Sequence, residues 1–211
     1  MSGKISVIMG IYNCAGTLED AVLSIQDQTY SNWELILCDD GSTDDTWAVA
    51  SALAQKDKRI LLLQNEHNLG LNKTLNRCLS AATGPYIARM DGDDTCMPDR
   101  FEKQVRFLES QDEYDIVSSP MVLFDENGEW RHTYAKEYPS AEDVVAGTPI
   151  CHAPVMLRKA CMDAVGGYTE DDRMLRVEDV NLWIKLYAAG VKDRHARSRR
   201  GGRRVGIVQR L

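Results

Sequence analysis

No stretch of this chain stays apolar for anything close to the roughly 20 residues that cross a bilayer, so a membrane-spanning helix is excluded. Its start, MSGKISVIMGIYN, has too short an apolar run and no small-residue cleavage site, so no leader is expected. The six cysteines (Cys14, Cys38, Cys78, Cys96, Cys151, Cys161) include no CxxC pair. That argues against a zinc ribbon and for reduced thiols in a cytosolic protein. There is no GxxxxGK[ST] loop and no GxGxxG turn, which makes kinase-like, GTPase-like and dinucleotide-dehydrogenase readings poor. No paired Ser-His or Cys-His motif offers a covalent nucleophile. Net positive charge is found only at the end. Lys192 to Leu211 holds eight Lys/Arg against Asp193, a local charge of +7 in a chain of −7, so residues 1–191 carry −14. An acidic body argues against nucleic acid as a partner.

What is present is an α/β pattern of one domain's size. Ile5 to Met9, Trp33 to Cys38, Ile60 to Leu63 and Tyr86 to Met90 are short apolar, β-rich runs. Between them lie helix-period stripes: Leu18, Val22 and Ile25 after a Thr17 cap; Trp47, Ala50 and Leu53 after a Ser42 or Thr43 cap; then Leu71, Leu75 and Leu79. The βαβαβαβ order predicts a parallel sheet with right-handed crossovers. The second half is less regular. Pro98 opens a helix striped by Phe101, Val105 and Leu108, and Ile116 to Phe124 reads as one strand. Asn127-Gly128 is a turn, Val155 to Leu157 a short strand, and Glu178 to Ala189 a helix striped by Val180, Trp183, Ile184 and Tyr187.

Polar clusters follow each of the four early strands: Tyr12-Asn13; Asp39, Asp40, Gly41 and Ser42; Asn65, His67, Asn68 and Gly70; and Asp91-Gly92-Asp93-Asp94. In a parallel sheet these points share the carboxyl edge, where α/β ligand sites form. Polar loops follow strands in every such protein. Three crowded carboxylates are different, because like charges repel unless a cation sits among them. Hard oxygen ligands suit Mg²⁺ or Mn²⁺ and the phosphates such ions hold. Asp91, Asp93 and Glu102 also match three positions of an EF-hand loop, but Cys96 stands where that loop needs glycine and Pro98 begins a helix inside it, so calcium is rejected. Glu178-Asp179, in isolation, reads as no more than a helix-dipole complement. Of the histidines, His67 and His132 read as surface residues, and His152 either faces a pocket or is structural. Trp33, Trp47 and Trp183 read as core, Trp130 as packing, and Arg100 as a helix-surface or interdomain ion pair.

Taken together, VIMGIYN (Val7 to Asn13), LCDDGSTDDT (Leu37 to Thr46), NLGLNKTLN (Asn68 to Asn76), GPYIARMDGDD (Gly84 to Asp94), PDRFEKQVRFLE (Pro98 to Glu109), HAPVMLRK (His152 to Lys159), GGY (Gly166 to Tyr168) and EDVNLW (Glu178 to Trp183) resemble the family 2 glycosyltransferases. Within that family they are most similar to the subgroup of bacterial capsule, exopolysaccharide and lipopolysaccharide assembly. The resemblance implies a GT-A fold, Rossmann-like, with a mostly parallel sheet flanked by helices. Residues 1–191 would form that domain, 1–94 its nucleotide-binding half and 95–191 its acceptor half. Separately, the like charges of 192–211, its few large apolar residues and Gly201-Gly202 predict a basic tail without fixed structure. The implied activity is an inverting, metal-dependent sugar transfer from a nucleotide-diphosphate sugar, a UDP-sugar, to a hydroxyl of a glycan or lipid-linked glycan. The implied setting is the cytoplasm, at the inner face of the plasma membrane, with at most peripheral membrane contact. By position, Tyr12, Asp39 and Asp40 would hold the base, with Asn13 and Asn68 in the same nucleotide-binding set. Asp91 would meet the ribose or the metal, Asp93 would be the direct Mn²⁺ or Mg²⁺ ligand, and Asp94 would support it. Lys73 and Arg89 would lie near the diphosphate. Asp179 would be the catalytic base with Glu178 beside it. Two departures stand out. Gly10 replaces a usual proline and is expected to loosen a turn. The basic tail resembles nothing in the family, which is the expectation for a truncated or frameshifted reading frame. The competing readings are a non-catalytic remnant that still binds nucleotide-sugar, and a nucleotidyltransferase. The latter is disfavoured because Tyr12-Asn13-Cys14-Ala15-Gly16 has no basic residue.

Overall fold

The computed structural model describes residues 3–125, 128–133, 136–147, 150–171, 173, 177–195 and 207–210. Four parallel strands form its heart: β1 (Ile5–Ile11), β2 (Trp33–Asp39), β3 (Ile60–Gln64) and β4 (Tyr86–Arg89). They alternate with α1 (Leu18–Gln26), α2 (Thr46–Lys56) and α3 (Leu71–Ala81), as the periodicity predicts. β1 pairs with both β2 and β4, and β2 with β3, all parallel. The chain then adds β5 (Asp94–Cys96), α4 (Arg100–Ser110), β6 (Ile116–Ser118), β7 (Met121–Asp125) and β8 (Gly128–His132). It ends with α5 (Ala141–Ala146), β9 (Met156–Arg158), α6 (Lys159–Val165), α7 (Glu178–Ala188), β10 (Asp193–His195) and β11 (Ile207–Arg210). The main sheet runs β10-β6-β9-β4-β1-β2-β3, and in it only β9 is antiparallel to its neighbours. No helix among the described residues is long and apolar enough to cross a membrane.

The strands β1, β2 and β4 are apolar along nearly their whole length because helices cover both faces. Leu18, Val22 and Ile25 of α1 and Phe101, Val105 and Leu108 of α4 are fully buried, as their spacing requires. The α7 stripe is rotated from the expected one. Leu182, Trp183 and Leu186 are buried, while Ile184 is 43% exposed. Trp33 is buried and Trp47 only half-buried.

Several local expectations change. The run Ile116 to Phe124 is two strands, because Pro120 lacks the N–H that a continuous ladder needs. Thr17 caps no backbone N–H of α1; its hydroxyl donates to the carbonyls of Cys14 and Gly92. α2 starts at Thr46, because Ser42 and Thr43 are occupied with the loop after β1. Gly10 loosens no turn. It lies inside β1 opposite Cys38, and a side chain there would sit 3.1 Å from Thr74, so its absence lets α3 pack closely. In the basic segment 192–211, residues 193–195 pair with β6, and residues 207–210 insert between β5 and β7. The charge argument for a tail without fixed structure overlooked that short sheet edges accept any strand through backbone hydrogen bonds, and Ile207-Val208 is β-branched. Residues 196–206 and Asn127 lie outside the described residues.

At the amino edge of the sheet, away from the acidic loops, Glu34 ties three segments together. It accepts hydrogen bonds from Lys4 (2.5 Å), Ser6 (2.6 Å) and both the amide and hydroxyl of Thr83. Burial pushes this carboxyl up, but those donors outweigh it and bring the pKa from 4.5 down to about 2. A group whose folded pKa is depressed adds stability above its unfolded pKa and loses it as pH falls. Glu34→Gln should therefore destabilise the fold at pH 7. The gap from wild type should shrink as pH drops from about 4.5 toward 2, measured by urea unfolding across that range.

Candidate functional site

The loops after β1 and β2 are laced together. Asn13 has a left-handed backbone (φ 49°), and its side-chain carbonyl accepts the amide of Thr43 at 2.9 Å. Ser42 accepts the Asn13 amide at 3.0 Å and donates to Asp39 at 2.5 Å. The Thr46 hydroxyl accepts the Cys14 amide at 2.8 Å. Gly41, at φ +70°, passes so close to the chain at His67 that a Cβ would lie 2.7 Å from its backbone, so only glycine fits.

Asp40 carries the third loop. It is 4% exposed and accepts from Asn65 Nδ2 (2.7 Å), the Leu69 amide (2.8 Å) and the Gly70 amide (2.9 Å). Asp39 is fully buried and accepts from Ser42 and from Gln64 Nε2. Both carboxylates expected to hold a base are thus largely engaged in shaping the loops. Asp40 still borders a cavity of about 240 Å³, walled by Gly10, Tyr12, Asn68 and Leu71. A second cavity of about 450 Å³ lies on the other side of Tyr12 and is lined by Asn13, Cys14, Asp91, Gly92 and Asp93. Tyr12, 46% exposed, stands between the two. Asn68 is exposed and accepts the Gly70 amide, and Lys73 is half-buried on the first turn of α3. The half-buried Cys14 thiol is pushed by burial up to about 11, which makes it a poor nucleophile.

Oxygens of Asp91, Asp93 and Asp94 all lie within 4.8 Å of one another. Asp91 is neutralised by a bidentate bond from Arg89, at 2.6 and 2.5 Å. Arg89, expected at a diphosphate, is 5% exposed and serves as the counter-charge of Asp91. Asp93 is exposed, yet desolvation in the cleft and the charge of Asp91 push its pKa up. Asp94 is fully buried, and neither of its oxygens has a hydrogen-bond partner among the described residues. Burial, then Asp91 and Asp93, lift its pKa to about 8. Two orphaned carboxylate oxygens beside two further carboxylates are what a hard divalent cation would satisfy, so the residues fit Mg²⁺ or Mn²⁺. A Cβ on Gly92 would meet Cys14 Sγ at 2.9 Å, so the loop packs against β1's loop there.

Behind the acids lies Arg100, read from the sequence as an exposed ion pair. It is fully buried, and among the described residues it bonds no carboxylate. It donates to the carbonyls of Arg89 (2.9 Å), Val155 (3.2 Å) and Ala153 (3.4 Å), and to Gln104 Oε1 at 3.1 Å. Burial lowers its pKa to about 10. A signal was present: Arg100, Gln104 and Leu108 recur at the helical spacing of the buried face. Tyr168 and His152 were also underread. Tyr168 is 3% exposed, and its hydroxyl lies 2.9 Å from His152 Nε2. Its pKa is raised, by burial first and then by the charges of Asp91, Glu178 and Asp179 against that of Arg89. Glu178 and Asp179 are half-buried on the first turn of α7. The sequence reading of the remaining histidines agrees: His67 and His132 are exposed.

Residues 6–163 match the model of a known family, described as glycosyl transferase family 2. EpsE of Bacillus subtilis, named as a glycosyltransferase, is 46% identical over 190 residues, covering 90% of this chain and 68% of its own. WfaP of Escherichia coli, named UDP-Glc:alpha-D-GlcNAc-diphosphoundecaprenol beta-1,3-glucosyltransferase, is 29% identical over 90% of this chain and 73% of its own. Among solved structures, the mannosyltransferase PcManGT of Pyrobaculum calidifontis, in complex with GDP-Man and Mn²⁺, superposes with a TM-score of 0.75 at 20% identity. The match covers 99% of this chain and 57% of that one.

Removing the buried guanidinium should be costly. Arg100→Met keeps the bulk, removes the guanidinium donor from three carbonyls (that of Val155 still accepts the Arg89 amide) and takes away the cation near Asp94. A loss of about 1–3 kcal/mol in denaturant unfolding is expected, as for leaving buried polar groups without a donor. A loss under about 1 kcal/mol would mean that the surrounding carbonyls find other partners.

Proposed function

The chain belongs to glycosyl transferase family 2, with the GT-A fold, and from that premise we propose that it transfers a sugar, with inversion, from a nucleotide-diphosphate sugar to an acceptor hydroxyl in cell-surface polysaccharide assembly. The observation that carries this reading is the trio Asp91, Asp93 and Asp94 at the carboxyl edge of a parallel sheet, beside a cleft of about 450 Å³. The chain spans about two thirds of these relatives' length, so the activity of the whole protein is part of the proposal.

The roles follow from the chemistry. Residues 1–94 supply the nucleotide half and 95–191 the acceptor half. Tyr12, with Asn68 and the Asp40-braced loop, borders the cavity suited to a flat base, and Asn13 and Asp39 keep that wall rigid. The name of WfaP supports UDP as the carrier, whereas the GDP-Man complex shows that the same fold accepts another base. Asp93 and Asp91, supported by Asp94, would hold Mn²⁺ or Mg²⁺, which when bound offsets the negative charge of the leaving diphosphate. Lys73, half-buried near the same edge, adds a positive charge for that group. Asp179, with Glu178 beside it, takes the proton from the attacking acceptor hydroxyl, whose oxygen displaces the nucleotide diphosphate at the anomeric carbon. The acceptor is a glycan or lipid-linked glycan, in keeping with the diphosphoundecaprenol in the name of WfaP.

Two measurements test this. Asp93→Ala should abolish the Mn²⁺-dependent part of UDP affinity in isothermal titration while leaving the fold intact, because the side chain sits exposed in a loop. Unchanged Mn²⁺-dependent affinity would remove Asp93 from the ligand set. Asp179→Asn keeps the shape but not the proton acceptor. Transfer should fall by about a hundredfold or more with donor affinity little changed. If kcat survives, Asp179 is only a helix-start carboxylate.

A further inference from the structure

Between the acidic cluster and α7 lies a polar joint that no part of this reading has used. Residues 167–169 are stitched to helices on two sides. Asn76 of α3 bonds both the amide (2.8 Å) and the carbonyl (2.9 Å) of Tyr168, and Asn72 donates to the Thr169 carbonyl at 2.8 Å. From α7, Lys185 donates to the Gly167 carbonyl at 2.6 Å, and Asn181 accepts the Thr169 hydroxyl at 2.6 Å. The Tyr168 side chain then reaches inward to His152. The His152 ring also stands edge-on against Trp183, with centroids 5.7 Å apart at 89°. Trp183 is fully buried on α7, one turn beyond Asp179. On its other side, the His152 loop is held by Arg100 through the carbonyls of Ala153 and Val155, the same guanidinium that grips the end of β4. Burial, then the charge of Arg89, keeps the imidazole neutral, and burial keeps the phenol neutral, so the joint is a hydrogen bond between uncharged groups with fixed geometry.

We propose that the Tyr168–His152 pair is a positioning device that sets the first turn of α7, and with it Asp179, against the Asp91–Asp94 cluster. It rests on Asp179 acting as the base. The chain of contact runs from β4 through Arg100 to the His152 loop, from His152 to Tyr168 and Trp183, and so to α7. The links are hydrogen bonds of 2.9 to 3.4 Å and a ring contact among buried and half-buried groups, so a lost link is not made good without local rearrangement. Neither side chain is required to touch donor or metal, so removing the bond should move the base and spare nucleotide binding.

Hydrogen exchange reads this without any substrate. In Tyr168→Phe, which deletes one oxygen, the backbone amides of 181–184 should exchange faster by about tenfold, while those of 71–81 in α3 keep their wild-type rates. His152→Ala should reproduce that pattern, and His152→Gln, which can still bond the phenol, should restore most of the protection. Unchanged rates at 181–184, an equal loss in α3, or no difference between the alanine and glutamine variants would each overturn the proposal. With UDP-glucose as the probe, kcat of Tyr168→Phe should fall by about tenfold or more while UDP affinity in Mn²⁺ stays near wild type. If the wild-type protein itself fails to bind UDP with Mn²⁺, the functional reading falls, and the exchange rates still decide whether the pair positions α7.

Discussion

The buried guanidinium of Arg100 is the constraint on which the site depends. A cation with no access to water and no carboxylate partner is expensive, and it persists only where several dipoles replace its hydration. Here those dipoles are backbone carbonyls from two separate segments, the end of β4 and the loop before β9, together with Gln104 one helical turn away. Arg100 therefore adds a side-chain tie to β4 and β9, whose spacing the antiparallel ladder and the Arg89 amide to Val155 carbonyl bond (3.0 Å) already set. It also places positive charge behind Asp94, whose carboxyl is otherwise unpartnered. The acidic cluster in front and the cation behind form one electrostatic unit. With Arg89 bound to Asp91, two positive charges stand against three potential negative ones. A divalent ion would favour the ionised form of these crowded carboxylates.

The rest of the carboxyl edge is organised by hydrogen bonds that cross between loops. Asp39 and Asp40 end β2, but their oxygens act on the loops after β2 and β3, while Asn13 and Ser42 lock the loop after β1 onto the one after β2. The cleft is consequently preformed: Tyr12 is presented between two cavities by a backbone held on both sides. Residues that look like ligand contacts in such a motif can serve mainly to build the wall against which a ligand rests. The same economy appears at Thr17, whose hydroxyl is bonded to the Gly92 carbonyl inside the acidic motif instead of capping its helix.

The four parallel strands, the three early helices and the acidic motif were legible because their signals are local. Buried strands are continuous apolar runs, helices repeat every three to four residues, and carboxylates of a metal-type cluster are adjacent in the chain. Errors arose where position depends on partners. Pro120 divides a run that hydrophobicity alone joins. The α7 stripe rotates because Leu182 and Leu186 meet α5, α6 and the main core, a choice that the helix's own apolar residues left open. Strand β5, three residues that begin at the last aspartate of the acidic motif, is paired with β11 and has no period of its own to read.

The amino-acid sequence by itself determined the fold class, the edge of the sheet at which chemistry gathers, and the identity of the acidic residues there, since each follows from composition and spacing along the chain. Only the tertiary structure decided which charges face one another. Arg89 is paired with Asp91, Arg100 is a buried cation where the sequence suggested a surface ion pair, and His152 is hydrogen-bonded to Tyr168. The reason is that an ionisable side chain's state depends on burial and on neighbours far away in sequence. Arg100 and Val155 are 55 residues apart, and Asn76 and Tyr168 are 92 apart. No local pattern encodes such a pairing.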